Sequence, residues 1–266
     1  WGGLVLNMRR PPLDELNFRK ALQLLFNRPL FLDKIYRGKH RAVAGPFAYQ
    51  SEYSANLEPV LFDPGKAEEL LKKIGYSKVG DDGIRFKTVQ GKDGQKTNQR
   101  AAVTLLYASE ANLKWATVFK EDATKKGVEV NLQFTEWTSA SKLLDEFQFD
   151  LFPLGWAEDP VPSPANQFRG RISMDVGSSN RSGLNDPRIN QLIDEIPAVF
   201  DFGKRQKLFQ ELERLIVDAQ PYVFTSVQKE HLVGYWKDKI DPSSRPFLPY
   251  SGMVERNPFW IRWAAK

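Results

Sequence analysis

The sequence contains no cysteine and only two histidines among its 266 residues. Without cysteine the chain has no disulfides, no thiolate catalysis and none of the common zinc sites, and cysteine usage leaves the compartment open. Two histidines far apart in the chain form neither a metal cluster nor a local catalytic pair. We therefore predict no metal site, no cofactor and no catalytic residue of these kinds.

Long apolar runs and dense basic runs are also missing. No stretch approaches the roughly 18 apolar residues of a membrane span, and no signal-peptide pattern opens the chain. Lys and Arg give a net charge of +5 but are spread among acids, which is typical of a solvated surface and predicts no nucleic-acid partner. With 41% hydrophobic residues and seven Trp, the chain can form a globular core and still leave Trp for a ligand.

Residues 150–160 (DLFPLGWAEDP) are the most informative stretch, because a short apolar strand runs into a glycine, an aromatic and two acids. Loops that follow rigid strands often carry functional groups, and Gly155 lets the backbone approach a neighbour closely. Trp156, Glu158 and Asp159 thus form an aromatic surface beside negative charge.

Three interpretations of this acidic loop remain open. Glu158 and Asp159 beside an exposed Trp suit a carbohydrate-active enzyme or a sugar-binding module, although adjacent carboxylates point apart and make a poor glycosidase pair. The pair is also compatible with a solvated acidic turn in a purely structural interaction domain. The third interpretation is a site that binds a cationic ligand without catalysis.

Hydrophobic periodicity and capping residues predict helices and loops in the first third of the chain. Asp14 is predicted to cap a helix that ends near Arg28, and Asp63-Pro64 starts a second helix. Residues 39–62 have no sustained period, which predicts a long ordered loop, and the polar residues 78–100 predict a surface hairpin or loop.

A βαβ unit follows, with a strand over 102–107, a helix over 112–126 and a strand over 128–134. The carboxyl ends of such parallel strands carry ligand groups, which indicates Tyr107 and Trp137 as candidates.

A further helix (138–147) leads into the strand 150–154, so three strand ends are expected on one side of a sheet, with Trp137 and Trp156 sharing that edge. Two amphipathic helices and a strand over 222–227 complete the pattern.

The order of these pieces resembles the carboxyl-terminal half of extracellular solute-binding proteins of ABC importers, in the oligopeptide and dipeptide cluster called family 5. The resemblance extends from about residue 4 to 240 and rests on many short fragments in one order: Pro12-Leu13-Asp14, Phe18-Arg19-Lys20-Ala21-Leu22, Asp63-Pro64-Gly65-Lys66-Ala67, Leu105-Leu106-Tyr107, Gly127-Val128-Glu129-Val130, Glu136-Trp137, Gly155-Trp156, Asn180 and Asn185-Asp186-Pro187.

The resemblance implies an α/β fold with a mixed sheet flanked by helices, forming one lobe of a two-lobed periplasmic binding protein of type II. Residues 11–225 are expected to form the second, ligand-binding lobe, while 1–10 and 226–266 belong to the first lobe and hinge. The chain starts at Trp1 and runs into apolar Leu4, as expected for the interior of a longer protein.

The family also implies a function. The expected protein is the non-catalytic substrate-binding component of a bacterial ABC importer. We expect a periplasmic or extracellular, membrane-tethered monomer that captures peptides or peptide-like solutes and delivers them to a membrane permease.

Roles for individual residues follow from the same resemblance. Asp159, three positions after the Trp of the Gly-Trp pair, is expected to receive the ammonium group of a ligand. Trp137 and Trp156 match cleft aromatics, and Asn180 lies in a segment that resembles a pocket-lining loop. Glu158 is an additional acid beside the anchor.

Two departures from the family pattern concern the nature of the ligand. Pro153 stands where some oligopeptide receptors carry a basic residue, so recognition of a carboxylate at that point is not predicted. Residues 234–236 (GYW) resemble a subgroup that includes receptors for modified peptides.

Overall fold

The computed structural model describes residues 1–47, 51–91, 94–156 and 161–229. The segment 234–236, which bears on the type of peptide, lies outside these ranges.

Within the described ranges, the strands and the α-helices alternate over residues 102–155. The strands are β1 (Gly2–Leu6), β2 (His40–Ala42), β3 (Lys78–Val79), β4 (Arg85–Gln90), β5 (Lys96–Arg100), β6 (Ala102–Tyr107), β7 (Glu129–Phe134), β8 (Leu151–Gly155), β9 (Tyr222–Phe224) and β10 (Ser226–Gln228). The helices are α1 (Leu16–Leu25), α2 (Arg28–Leu30), α3 (Pro64–Lys73), α4 (Leu113–Thr124), α5 (Trp137–Asp145), α6 (Ala165–Phe168), α7 (Pro187–Glu195) and α8 (Phe202–Ala219).

A five-stranded mixed sheet in the order β7-β6-β8-β1-β9 forms the centre of the molecule. β6, β7 and β8 run parallel, whereas β1 is antiparallel to both β8 and β9. Alternate residues of β1, β6, β8 and β9 contribute to two separate apolar cores, one on each face of the sheet, whereas β7 contributes to one of them. This mixed sheet with helices on both faces confirms the predicted fold class.

The βαβ unit is confirmed, and β6 spans the same residues as its predicted strand. α4 buries Trp115, Ala116, Phe119 and Ala123 against the sheet. The chain leaves α4 through Gly127, whose positive φ of 80° suits glycine.

The predicted caps have different outcomes. The Asp63 side chain accepts a hydrogen bond from the backbone N–H of Lys66, with Pro64 in the first turn, as predicted for α3. At α1 the prediction was wrong, because Glu15 is the N-cap residue and makes no side-chain capping bond. The backbone carbonyl of Asp14 instead accepts a hydrogen bond from Arg19, 3.0 Å away.

The predicted loop of residues 39–62 contains only the short strand β2 in its described part and is fastened to α8 by Glu213. This buried carboxylate accepts hydrogen bonds from the backbone N–H groups of Phe47 (3.2 Å) and Ala55 (2.6 Å) and from the Ser54 hydroxyl (3.0 Å). Because these donors are spread over the loop, one side chain determines much of its path.

The segment 78–100 forms the three-stranded antiparallel sheet β3-β4-β5. It adjoins the amino ends of β6 and β7, since the Arg85 backbone N–H donates to the Gly127 carbonyl and Ala101 N–H donates to the Arg85 carbonyl. This small sheet therefore lies at the end of the molecule opposite the carboxyl ends of the parallel strands.

Residues 1–10, expected in the first lobe and hinge, contribute β1 to the centre of the main sheet. β10 leaves this sheet and pairs with β2, and residues 230–266 are not described. β1 thus packs with elements of the segment 11–225. The boundary between the two lobes stays a prediction.

No helix in the described ranges is both long enough and apolar enough to cross a membrane.

Candidate functional site

The carboxyl ends of three parallel strands meet at one edge of the main sheet, as the sequence predicts. Tyr107 and Phe134 are paired at the ends of β6 and β7, and β8 lies on the other side of β6. The antiparallel β1 brings Gly2 opposite Gly155 at the same edge. This arrangement, which we call the ligand edge, gathers loops from four neighbouring strands.

Trp137 is the most exposed aromatic among the predicted site residues. It is the first residue of α5, three positions beyond the paired end of β7, and 60% of its surface is exposed. Its ring centroid lies 6.3 Å from that of Phe152 on β8. An exposed indole supported on one side by a buried ring is suited to packing against an apolar part of a ligand.

Trp156 is half-buried and firmly attached to the sheet. Its backbone N–H donates to the Trp1 carbonyl at 2.8 Å, and the indole centroids of Trp1 and Trp156 are 6.4 Å apart. It packs against the same core as Phe152, so Trp137 and Trp156 lie on one face of the ligand edge. The expectation that the two indoles share an edge agrees with this geometry.

The interior beside Trp156 is tightly closed. Tyr222 on β9 is fully buried, and this burial raises the pKa of its hydroxyl. The neighbouring Trp156 lowers the same pKa by a smaller amount. The Tyr222 ring meets Trp1 edge-on at 5.2 Å between centroids. Trp156 therefore belongs partly to the core, whereas Trp137 faces solvent.

Tyr107 occupies the ligand edge but on the opposite face of the sheet. It is 7% exposed and belongs to the other apolar core, with its ring edge-on to Phe134 at 5.6 Å. The structure thus does not bring Tyr107 together with the two indoles.

Asn180 is completely buried, and its side chain is saturated by hydrogen bonds within the protein. Its amide nitrogen donates to the carbonyls of Arg169 (3.1 Å) and Leu184 (2.8 Å). Its amide oxygen accepts from the Ser182 hydroxyl (3.2 Å) and the Gly183 N–H (3.0 Å). An asparagine side chain offers two donor and two acceptor positions, so all are occupied here.

Glu158 and Asp159 lie outside the described residues, and their roles stay predictions. At the other end of the same stretch, Asp150 has a structural task. Its carboxylate accepts from the Thr104 N–H at 2.9 Å and pairs with Arg10 at 2.7 Å, at the amino end of β8.

Sequence reasoning overlooked a pocket of about 220 Å³ at the ligand edge, on the same face as Tyr107. Its floor includes Gly2, Gly3 and Gly155, and Phe26 and Trp115 contribute to its wall. The signal in the sequence is the Gly2-Gly3 pair, which removes side chains from a strand that is otherwise apolar.

Across the described parts of the chain, no group of three or more His, Asp or Glu side chains is arranged to hold a metal ion.

The sequence itself decides the family. Residues 1–173 match the model of the bacterial extracellular solute-binding proteins, family 5 middle region. The chain belongs to family 5 of the bacterial extracellular solute-binding proteins. The match confirms the resemblance that the ordered motifs of this family 5 chain indicated.

Two curated relatives illustrate what family 5 members bind. Di/tripeptide-binding protein 3 of Pseudomonas aeruginosa is 26% identical over 92% of this chain and 44% of its own length. The nickel-binding periplasmic protein of Escherichia coli is 26% identical over 83% of this chain and 41% of its own length. The family 5 chain thus spans less than half the length of these relatives, and both are binding proteins.

A solved structure confirms the fold. The oligopeptide-binding protein AppA of Bacillus subtilis, in complex with a nonapeptide, superposes with a TM-score of 0.74 at 20% identity. The match covers 86% of this family 5 chain and 44% of AppA. The described residues therefore share the fold of part of that oligopeptide-binding protein. Family membership favours a binding protein over a carbohydrate-active enzyme.

Proposed function

We propose that this chain forms part of the substrate-binding component of a bacterial ABC importer, which captures peptides or peptide-like solutes without catalysis. Family membership and the binding functions of the relatives support this proposal. The proposal includes a periplasmic or membrane-tethered extracellular monomer that delivers its ligand to a permease.

The observation that carries the proposal is the aromatic wall at the ligand edge. Trp137 is 60% exposed there, and the half-buried Trp156 lies on the same face at the end of the neighbouring strand β8. Flat apolar surfaces beside strand ends accept varied side chains, while backbone groups bind an extended peptide independently of its sequence.

Asp159 supplies the charged anchor in this proposal. It follows Trp156 by three residues and corresponds to the position that receives the ligand ammonium in peptide-binding members. A hydrogen bond to a charged group contributes about 1.5 to 3 kcal/mol, so an ammonium ligand is strongly preferred over a neutral one. Glu158 adds negative charge nearby without a defined partner.

The two-lobed architecture completes the proposal. Residues 11–225 form the second lobe, and residues 1–10 and 226–266 connect it to the first lobe and hinge. Ligand is held between the lobes, so the wall at the ligand edge is one side of the cleft.

Calorimetric titration of the full-length gene product with a dipeptide tests the anchor. We expect Asp159→Asn to weaken binding by about tenfold or more, because a carboxylate that faces an ammonium is lost. Glu158→Gln is the matched control and should change affinity far less. N-acetylation of the dipeptide should weaken binding to the wild type but have little further effect on Asp159→Asn. Equal affinity of both variants and the wild type would remove Asp159 from the site.

Trp137→Ala tests the aromatic wall in the same titration. It should weaken peptide binding without lowering the thermal midpoint, since the indole is mostly exposed. Val79→Ala, at the distant small sheet and 53% exposed, is the control. Unchanged affinity of Trp137→Ala for the peptide would contradict a role of the aromatic wall in binding.

A further inference from the structure

The main sheet ends in β7 on one side, and within the described ranges no further strand pairs with it. The backbone N–H groups of Glu129 and Thr135 donate towards β6. Because the direction of these groups alternates along a strand, the N–H and C=O groups of Val130, Leu132 and Phe134 point outward. No hydrogen bond from the described parts of the chain reaches these outward groups. We call this row of groups the β7 edge.

The opposite end of the main sheet is closed by side chains. The outward N–H of Phe224 on β9 donates to the Gln23 side chain at 3.0 Å, and Arg28 donates to the Phe224 carbonyl. Gln220 donates to the Tyr222 carbonyl at 2.6 Å. The backbone groups of β9 that another strand would use are therefore occupied.

The β7 edge lacks the usual protection of an edge strand. Natural sheets protect their edges with a cover, with charged side chains or with Pro. Residues 130–134 (VNLQF) contain neither a charged residue nor Pro, and Glu129 at the start is the one charged residue of the strand. Phe134 is 43% exposed, and Asn131 and Gln133 are exposed as well. An uncharged open edge of this length is a template for another strand.

The sequence of β7 is complementary to itself when two copies run antiparallel with Leu132 at the centre. In this register Leu132 lies opposite Leu132 of the other copy, and Val130 lies opposite Phe134. All three have outward backbone groups, so each pair exchanges two hydrogen bonds. On the other face Asn131 lies opposite Gln133, and their amides can donate to each other and accept from each other. No two charged residues face each other in this register.

We infer that the β7 edge binds the β7 edge of a second copy of this chain, so that two main sheets join into one across a twofold axis. This inference goes beyond the proposed function and does not rest on ligand capture. A pair of short strands buries less surface than the ~1,200 Å² of a stable interface, so the association is weak. The monomer of the proposed function is therefore the dilute state, and pairs form where copies are concentrated.

Sedimentation equilibrium of the full-length gene product tests the association. Loading concentrations from about 5 to 500 µM cover the dissociation constants of weak complexes. The average mass should rise with concentration towards that of a dimer. A mass that stays monomeric over the whole range would overturn the inference.

Two double variants test the antiparallel register. Asn131→Lys with Gln133→Lys sets like charges opposite each other and should weaken association about tenfold, because directly opposed like charges are unfavourable. Asn131→Lys with Gln133→Glu sets opposite charges there and should associate at least as well as the wild type. Both original side chains are exposed, and thermal unfolding checks that the variants are folded. Equal association of the two variants would overturn the register.

Asn166→Lys with Gln191→Lys is the matched control for net charge. These residues are exposed and lie on α6 and α7, so the control adds two positive charges away from β7. It should associate like the wild type. If it weakened association as much as the like-charge variant does, net charge would explain the effect and the assignment to β7 would be overturned.

Hydrogen exchange at low and at high protein concentration identifies the paired groups. The N–H groups of Val130, Leu132 and Phe134 should exchange severalfold more slowly in the dimer, whereas those of Asn131 and Gln133 face β6 and should not change. A dimer without this alternating pattern would overturn the β7 edge as its interface.

The outcomes for association and for ligand capture are independent. Dipeptide binding by a protein that stays monomeric would overturn this inference and leave the proposed function intact. Association through the β7 edge by a protein that binds no peptide would support the inference and count against the proposed function.

Discussion

At the scale of single residues, the buried Arg19 and Arg28 bind backbone carbonyls rather than carboxylates. Arg19 donates to the carbonyls of Leu13 (2.8 Å) and Ala219 (2.8 Å), and Arg28 donates to those of Val60 and Phe224. Burial lowers the pKa of both guanidinium groups to about 10, so both stay charged at neutral pH. Each arginine thus joins segments that are distant in the sequence.

Hydrogen-bond partners that are distant in the sequence explain why the roles of some residues could be predicted and those of others could not. The exposed position of Trp137 follows from local patterns, because a strand end and a helix start are both visible in the sequence. The saturation of Asn180 could not be predicted, since it depends on where the Arg169 carbonyl lies after folding. The resemblance indicated a pocket-lining residue, whereas the hydrogen bonds indicate a structural one.

Replacement of Asn180 by Ala discriminates between these two roles. We expect the free energy of unfolding to fall by about 2 to 4 kcal/mol, because four partners lose their hydrogen bonds in a buried site. Chemical denaturation measures this, with the exposed Asn166→Ala as control. Unchanged stability combined with weaker peptide binding would instead assign Asn180 to the ligand.

At the scale of elements, those defined by local signals were predicted well. α3 has its capping Asp63 and an amphipathic face, and the β6-α4-β7 unit has clear periods. β1 was not predicted as a strand, because its apolar run is short and its pairing partners lie about 150 and 220 positions away. The cap of α1 was misassigned by one residue, at the scale where helix ends are least certain from sequence.

The glycines of the ligand edge provide a test at this scale. A Cβ at Gly3 would lie 2.9 Å from the Val223 carbonyl oxygen, whereas a Cβ at Gly155 would meet only the Trp1 carbonyl oxygen, at 4.0 Å. Gly3→Ala should therefore lower the free energy of unfolding by about 1 to 3 kcal/mol, while Gly155→Ala should change it by less than about 0.5 kcal/mol. Equal losses in thermal denaturation would contradict this account of how β1 packs.

At the scale of the whole molecule, an ion-pair network joins the small sheet to the helical layer. Glu68 on α3 accepts hydrogen bonds from Lys72 (2.8 Å), Lys126 (3.2 Å) and Arg85 (2.8 Å). The bonds from Lys72 and Lys126, with the charge of Arg85, lower the pKa of Glu68 to about 2.

This lowered pKa predicts a contribution to acid stability. The contribution is fully present above the unfolded pKa of about 4.3 and is lost as the pH falls towards 2. Glu68→Gln should thus lower the free energy of unfolding at pH 7 by about 1 kcal/mol, and the difference from the wild type should shrink between pH 4.5 and 2. Thermal unfolding across this range measures it, with the exposed Glu69→Gln as control. A difference that does not change with pH would contradict the assignment.

The central position of β1 has a consequence for folding during synthesis. β1 precedes every other described strand in the chain, yet Gly3 pairs with Phe224, so this part of the sheet cannot close until nearly all of the described residues have left the ribosome. The β6-α4-β7 unit needs only neighbouring residues and can form much earlier. A nascent chain would then hold an open edge on β1 until β9 is synthesised, a state that exposes it to aggregation.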